Sequence, residues 1–309
     1  MLRVDDHLHV GVVWGGKNAP TPAPPEGAAE YLKANQVTHA CVCYSDRQSM
    51  DRLVDLCPEI KFYKLQWITD YDQALDDDIQ GIKLHSHRGN GFAFGKDEQG
   101  LDYSSRELKR FLATVPENMI VEYHTQGSAS LHNVSRPYMI AKLAVEARHL
   151  KHIVVHSGSY GLQSYYPSKL DPGLIITGLS QEMLVQEATL VANRLANVYL
   201  DSSTIIGTKH YKTELLLTRT KKFAMGSDWP YSLKAPYGPL LAGERELTKM
   251  VGEDEVRLIH ERALHFLETP VSQLFEEEGD IVNEWAGRSP EYKQRCEDTT
   301  RHGRRAKKL

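Results

Sequence analysis

Short β-branched runs that end on polar or glycine residues alternate along the chain with longer segments of helical period, the pattern of βα units that build a parallel sheet. Eight such runs occur, at residues 2–10, 37–44, 62–68, 79–85, 119–124, 152–156, 198–201 and 223–228. Helical period runs through 27–35, 46–56, 104–115, 137–150 and 182–195, with a last segment at 253–267. Eight strands with intervening helices predict an α/β fold closed into a (β/α)₈ TIM barrel rather than an open doubly wound sheet. The stretch APTPAPPEG at 19–27 is read as the loop joining the first strand to its helix, because proline removes backbone donors and fixes φ. Glycine-rich and aromatic stretches follow the fourth, sixth and eighth runs: HRGNGFAFG, SGSYGLQSYYPS and WPYSLKAPYGP. In a barrel these loops open on one face, where active sites are built.

Composition leaves this picture intact. A chain of 309 residues suits a single barrel as well as two small domains. With 41% hydrophobic residues, 25% charged residues and a net charge of -4, it reads as an ordinary globular protein with no nucleic-acid partner. The N-terminal MLRVDDHLHV lacks the apolar core of a secretory signal, and no later run reaches the ~18 apolar residues of a membrane span, so a cytoplasmic protein without a membrane partner is expected. Cys41, Cys43, Cys57 and Cys296 show no paired spacing and are read as buried free thiols. The helical pattern breaks after residue 267, dividing a barrel domain at 1–267 from a C-terminal helical extension at 268–309. That extension carries acidic Glu276 to Glu278 and ends in the basic RHGRRAKKL, read as a solvated tail.

The polar residues on these strands hold the chemistry. His7 and His9 lie two apart in the first run, so both imidazoles point to the same side of the sheet. Asp5 shares their parity and is a candidate carboxylate beneath them. MIVEYH ends in His124, HIVVH in His156 and FAMGSD in Asp228, while GIKLH carries Lys83 and His85. Such groups are costly at the ends of apolar strands unless they meet a metal, a substrate or each other. His85 and Lys83 are candidate substrate contacts. Arg47, Arg88 and Arg136 fall in mouth loops where an arginine can grip a substrate carboxylate, with Arg88 carried forward as substrate-binding. Trp14, Tyr160, Tyr165, Tyr166 and Trp229 are candidate pocket walls or loop packing.

The motifs DDHLHV, GIKLH, IVEYHT, IVVHSG, NVYLDSS and FAMGSDWP, in this order and spacing, resemble the amidohydrolase superfamily, and in particular its amidohydrolase-related branch. ERALHFLE resembles the branch's closing helix, so the resemblance covers about residues 2–267. It implies a distorted TIM barrel with a divalent metal, usually zinc, held by His7, His9, His124 and Asp228. It further implies that Asp228 accepts the proton of the attacking water and that His156 polarises the substrate or stabilises the oxyanion. Lys83 separates two versions. Carboxylated, it bridges two metals, with His124 and His156 holding the second; unmodified, it faces substrate beside one metal. The leading function is metal-dependent hydrolysis of an amide, lactone or related cyclic bond of a small molecule. The alternatives are non-oxidative decarboxylation of an aromatic or enoic acid, and a non-catalytic scaffold acting through the basic tail. Homo-oligomerisation stays open.

Overall fold

The computed structural model describes residues 1–13, 21–85, 101–125, 136–158, 181–203, 221–231 and 239–278. Arg88, Trp14, Tyr160, Tyr165, Tyr166 and Cys296 lie outside the described residues.

Eight parallel strands form the wall: β1 (Val4–Val13), β3 (His39–Tyr44), β4 (Lys61–Trp67), β5 (Gly81–His85), β6 (Ile120–His124), β7 (Lys151–Val154), β8 (Val198–Asp201) and β9 (Phe223–Ala224). They are hydrogen-bonded in that order. The sheet then closes on itself just past β9, where the Asp6 amide donates to Met225 O at 3.2 Å, Asp228 N to His7 O at 2.7 Å and His9 N to Trp229 O at 3.0 Å. Parallel pairing requires each connection to cross from one end of the sheet to the other, and the described helices make this return on the outside. The outer helices are α1 (Pro25–Ala34), α2 (Arg47–Leu56), α3 (Arg106–Leu112), α4 (Pro137–Glu146), α5 (Gln181–Ala192), α6 (Leu240–Val251) and α7 (Glu253–Glu268), followed by α8 (Val271–Glu278). Among the described residues no helix is long and apolar enough to cross a membrane.

Three departures from the sequence reading have physical causes. Residues within the proline-rich stretch form β2 (Thr21–Ala23), antiparallel to the end of β1, with Gly11 opposite Ala23 and Val12 opposite Pro22. Proline is tolerated there because β2 is an edge strand. Pro25 then opens α1, in the first turn, where its missing N–H would have no partner anyway. Helix α6 was absent from the sequence reading. Its buried face, Leu240, Gly243, Glu244 and Leu247, includes a glycine and a glutamate, and it follows a proline- and glycine-rich sequence that reads as loop.

The third departure moves the candidate carboxylate. Between Asp5 and Leu8 the β1–β3 register shifts: Asp5 pairs with Ala40 and Leu8 with Val42, so Asp6 and His7 together stand opposite Cys41. This is a β-bulge, and it flips side-chain parity. Asp5 therefore turns out of the barrel, where its Oδ1 accepts from the amide of Ser227 at 2.9 Å. Asp6 takes the interior position beneath His7 instead.

The barrel interior is apolar at its lower end, with Val4, Cys41, Tyr63, Leu65, Ile120, Ile153, Tyr199 and Ala224 packed against Phe266 and Leu267 of α7 and Leu274 of α8. The part of the C-terminal segment that is described thus plugs the barrel floor. Val271 N donates to Asn118 Oδ1 at 2.8 Å, and Lys222 pairs with Glu278. Cys41, Cys43 and Cys57 are free and buried, as read from their spacing.

Candidate metal centre

Above that apolar floor the interior turns polar, because register brings the chemical residues to one level. Lys83 pairs with Glu122 and His85 with His124 across β5 and β6. His9 lies opposite Cys43 on β3. The last two contributors sit just beyond their strands. β7 stops at Val154 and β9 at Ala224, so His156 and Asp228 stand on turns, with φ of 54° each. A left-handed conformation at a non-glycine residue costs about 1–2 kcal/mol. Such strain persists where surrounding bonds overdetermine it.

Three donor atoms converge. His7 Nε2 and His9 Nε2 lie 3.3 and 3.2 Å from Asp228 Oδ1, and one ligand atom from each of the three residues falls within 4.8 Å of the others. All three are buried. A neutral imidazole pair and a carboxylate are a donor set suited to zinc or a similar divalent ion. Among the described residues, His9 Nδ1 is buried and finds no hydrogen-bond partner.

The other nitrogen of His7 is committed. Its Nδ1 is 2.9 Å from Glu122 Oε2, and that oxygen also accepts from Cys43 Sγ at 3.0 Å and from Lys83 Nζ at 3.3 Å. Glu122 thus fixes the His7 ring with Nδ1 as donor and Nε2 turned to Asp228, the carboxylate–histidine arrangement of metal sites. Glu122 was missed in the sequence. Its signal was a glutamate two residues before His124 in an otherwise apolar strand, on the same face as the histidine.

Charge follows from this packing. Burial alone would raise Glu122, yet His7 and Lys83 bring it down to about 2. Burial likewise opposes the charge of Asp228, but His156, His7 and His9 hold its carboxyl far below the usual range. Burial pushes His9 down to about 4, with Asp228 pulling the other way. Asp6 is driven well up by burial and then by Asp201, Glu122 and Asp5. The surroundings thus favour the ionised form of Asp228 and Glu122 and disfavour that of Asp6.

The remaining expected residues surround this triad. His124 is half-buried. Its ring stacks on His85 with centroids 4.1 Å apart and meets His156 edge-on at 5.0 Å, so it stands beside the three-atom cluster rather than within it. His85 in turn stacks on Trp67 at 5.3 Å, and Trp67 lies 5.5 Å from His9. Trp67, His85 and His124 form one aromatic wall. Lys83 is fully buried in its pair with Glu122. His156 is buried beside His7, ring centroids 5.6 Å apart. Trp229 is not a pocket wall: it packs outward against Tyr31 and over Gly27 of α1. Arg47 pairs with Asp51 and Asp78 on the surface, and Arg136 with Glu187.

No protein-family model matches the chain, and no curated protein matches it. Solved structures do match. A probable 2-pyrone-4,6-dicarboxylic acid hydrolase from Acinetobacter baumannii, with citric acid bound, is 14% identical at a TM-score of 0.55, over 87% of this chain and 100% of its own. A dihydroxybenzoic acid decarboxylase from Polaromonas sp. JS666, with bound manganese and the inhibitor 2-nitroresorcinol, is 12% identical at 0.52, over 86% and 97%. An amidohydrolase 2 from Bifidobacterium longum subsp. infantis is 16% identical at 0.50, over 84% and 99%. At such identities the likeness is one of fold. The chain thus has the distorted (β/α)₈ barrel fold of these hydrolase, decarboxylase and amidohydrolase structures.

Proposed function

We propose that this chain is a metal-dependent hydrolase of the amidohydrolase-related kind, cleaving an amide, lactone or related cyclic bond of a small molecule. The observation that carries the proposal is the convergence of His7 Nε2, His9 Nε2 and Asp228 Oδ1 in a buried cluster at the barrel mouth. Three polar groups so placed would be costly without a shared cation. His7, His9 and Asp228 would hold one divalent ion, with His124 nearest to complete the set. A cation held there supplies Lewis acidity, polarising a carbonyl and lowering the pKa of a water.

The protein's own groups do the rest. Asp228, kept ionised, accepts a proton from the attacking water and returns it to the leaving group. Glu122 orients His7. The stacked column of Trp67, His85 and His124 lines one side of the site with aromatic edges, against which a flat or cyclic substrate can pack. Lys83 is read as an ammonium, because a carboxylated lysine would place a second anion against Glu122. This favours one metal over two.

The second reading, non-oxidative decarboxylation, is favoured by one observation: a decarboxylase with bound manganese shares this fold. Products separate the two. The purified protein is to be assayed for bound metal and offered pyrone and other lactone carboxylates alongside dihydroxybenzoates. Ring opening with proton release supports hydrolysis; release of carbon dioxide supports the lyase. Asp228→Asn is expected to lower kcat by about 10² to 10⁴ with little change in substrate binding. Absence of any divalent metal from active protein, or an Asp228→Asn variant with normal turnover, would overturn the proposal.

A further inference from the structure

We infer that Ser203 and Asp201 are positioning residues that lock the imidazole of His156 in one tautomer, with its hydrogen on Nδ1 and none on Nε2. This concerns a residue of the proposed reaction and so rests on that reading, but the bonding stands on its own.

His156 Nδ1 lies 3.2 Å from the backbone carbonyl oxygen of Ser203 and 2.8 Å from its Oγ. A carbonyl oxygen can only accept, so Nδ1 must carry the hydrogen. The hydroxyl agrees. Ser203 Oγ donates its hydrogen to Asp201 Oδ2, which leaves only lone pairs on Oγ to face the ring. Two independent acceptors therefore specify the same tautomer, and a neutral imidazole protonated on one nitrogen has a lone pair on the other.

Asp201 organises the whole turn. Its Oδ2 accepts from His156 N at 3.0 Å, its Oδ1 from Ser203 N at 2.9 Å, and its backbone carbonyl from Ser157 Oγ at 3.0 Å. These bonds clamp the turn Val155–Gly158, in which His156 and Ser157 both have positive φ. His156, Ser157, Asp201 and Ser203 are all buried, so water does not compete for these bonds. Gly226 keeps the space open: a Cβ there would stand 2.2 Å from Asp201 Oδ1. The ring makes T-shaped contacts with those of His7 and His124, centroids 5.6 and 5.0 Å apart. In its neutral form His156 can thus act at Nε2 only as a hydrogen-bond acceptor. This departs from the sequence expectation that it donates to a substrate oxygen, a role that would need the doubly protonated ring.

The test is tautomer-resolved NMR of the full chain labelled with ¹⁵N-histidine, read through long-range ¹H–¹⁵N correlations at about pH 8, above the ordinary imidazole range. His156→Gln identifies the signals of this ring among the 14 histidines. The expected pattern is a protonated Nδ1 and a bare Nε2. Ser203→Ala, which removes the hydroxyl and leaves the backbone carbonyl as acceptor, should move both shifts part of the way toward averaged values, and Ser203→Thr, which keeps the hydroxyl, should restore the parent pattern. A protonated Nε2 in the parent protein would overturn the inferred tautomer, and a Ser203→Ala spectrum identical to the parent's would overturn the positioning role of the Ser203 hydroxyl and of Asp201 behind it. If Ser203→Ala does not fold, the parent and Ser203→Thr spectra still decide. No turnover is needed, so an inactive protein with protonated Nδ1 would sink the proposed function alone, and the reverse tautomer would sink this inference alone.

Discussion

Replacing Glu122 by glutamine tests whether one buried carboxylate organises the proposed metal centre. In the parent, Glu122 Oε2 receives His7 Nδ1, Cys43 Sγ and Lys83 Nζ at 2.9, 3.0 and 3.3 Å, and neither member of the Lys83–Glu122 pair is exposed to solvent. Glutamine keeps the volume and one acceptor oxygen but removes the charge. Breaking a buried ion pair from one side costs about 3–5 kcal/mol, because the other charge is left without compensation. An unfolding entropy of about 2.1 cal/mol/K per residue, over 309 residues, amounts to roughly 0.65 kcal/mol/K. Tm should therefore fall by about 5–8 °C. The same change frees the His7 ring, and loss of such an orienting partner weakens metal binding by about 10- to 100-fold. Thermal denaturation of chelated protein reads the first effect and competitive zinc titration the second. The double variant Glu122→Gln with Lys83→Met, which removes both charges, should recover most of the lost Tm but not the zinc affinity. A single variant with Tm within about 1 °C of the parent and unchanged zinc affinity would refute the reasoning.

Three further outcomes follow from the same structure. Elemental analysis should find close to one divalent ion per chain, with Lys83→Met leaving that ratio unchanged; a parent ratio near two that falls to one in Lys83→Met would restore the carboxylated, two-metal version. Gly226→Ala should destabilise the protein by about 1–3 kcal/mol, seen as a lower urea midpoint at unchanged slope, because its new Cβ would stand 2.2 Å from Asp201 Oδ1 and 2.7 Å from Asp6 Oδ1. His152, held neutral between the Tyr123 hydroxyl and the Ala147 carbonyl, is pushed down to about 4 by burial from an ordinary 6.5. Its contribution is therefore complete above pH 6.5 and is lost as pH falls through 4, amounting to about 3 kcal/mol; urea stability of His152→Gln should show a correspondingly shallower decline over that window.

The strand and helix periods were legible because each side chain's burial repeats along the sequence with the geometry of its own element. That was enough to place the eight-stranded barrel and to put His7, His9, Lys83, His85, His124, His156 and Asp228 at one end of it. The polar residues stood out there because apolar strands carry few of them without cause. Glu122 could have been found by the same argument, since it shares a face with His124, yet its ion pair with Lys83 depends on cross-strand register. The mistaken Asp5 shows the limit of parity: one extra residue in β1 exchanges the roles of Asp5 and Asp6, and nothing local in DDHLH announces the bulge.

Sequence by itself determined which residues are chemically capable and near which strand end each would emerge, because both follow from residue type and local periodicity. Only the tertiary structure decided which of them meet. Whether His7 turns its Nε2 or its Nδ1 to Asp228, whether Lys83 faces a carboxylate, and whether Trp229 lines the mouth or packs under α1 depend on neighbours up to more than two hundred residues away. The left-handed turns at His156 and Asp228 are of the same kind. No local preference favours them, and they are held by bonds from Asp201 and from the backbone of His7.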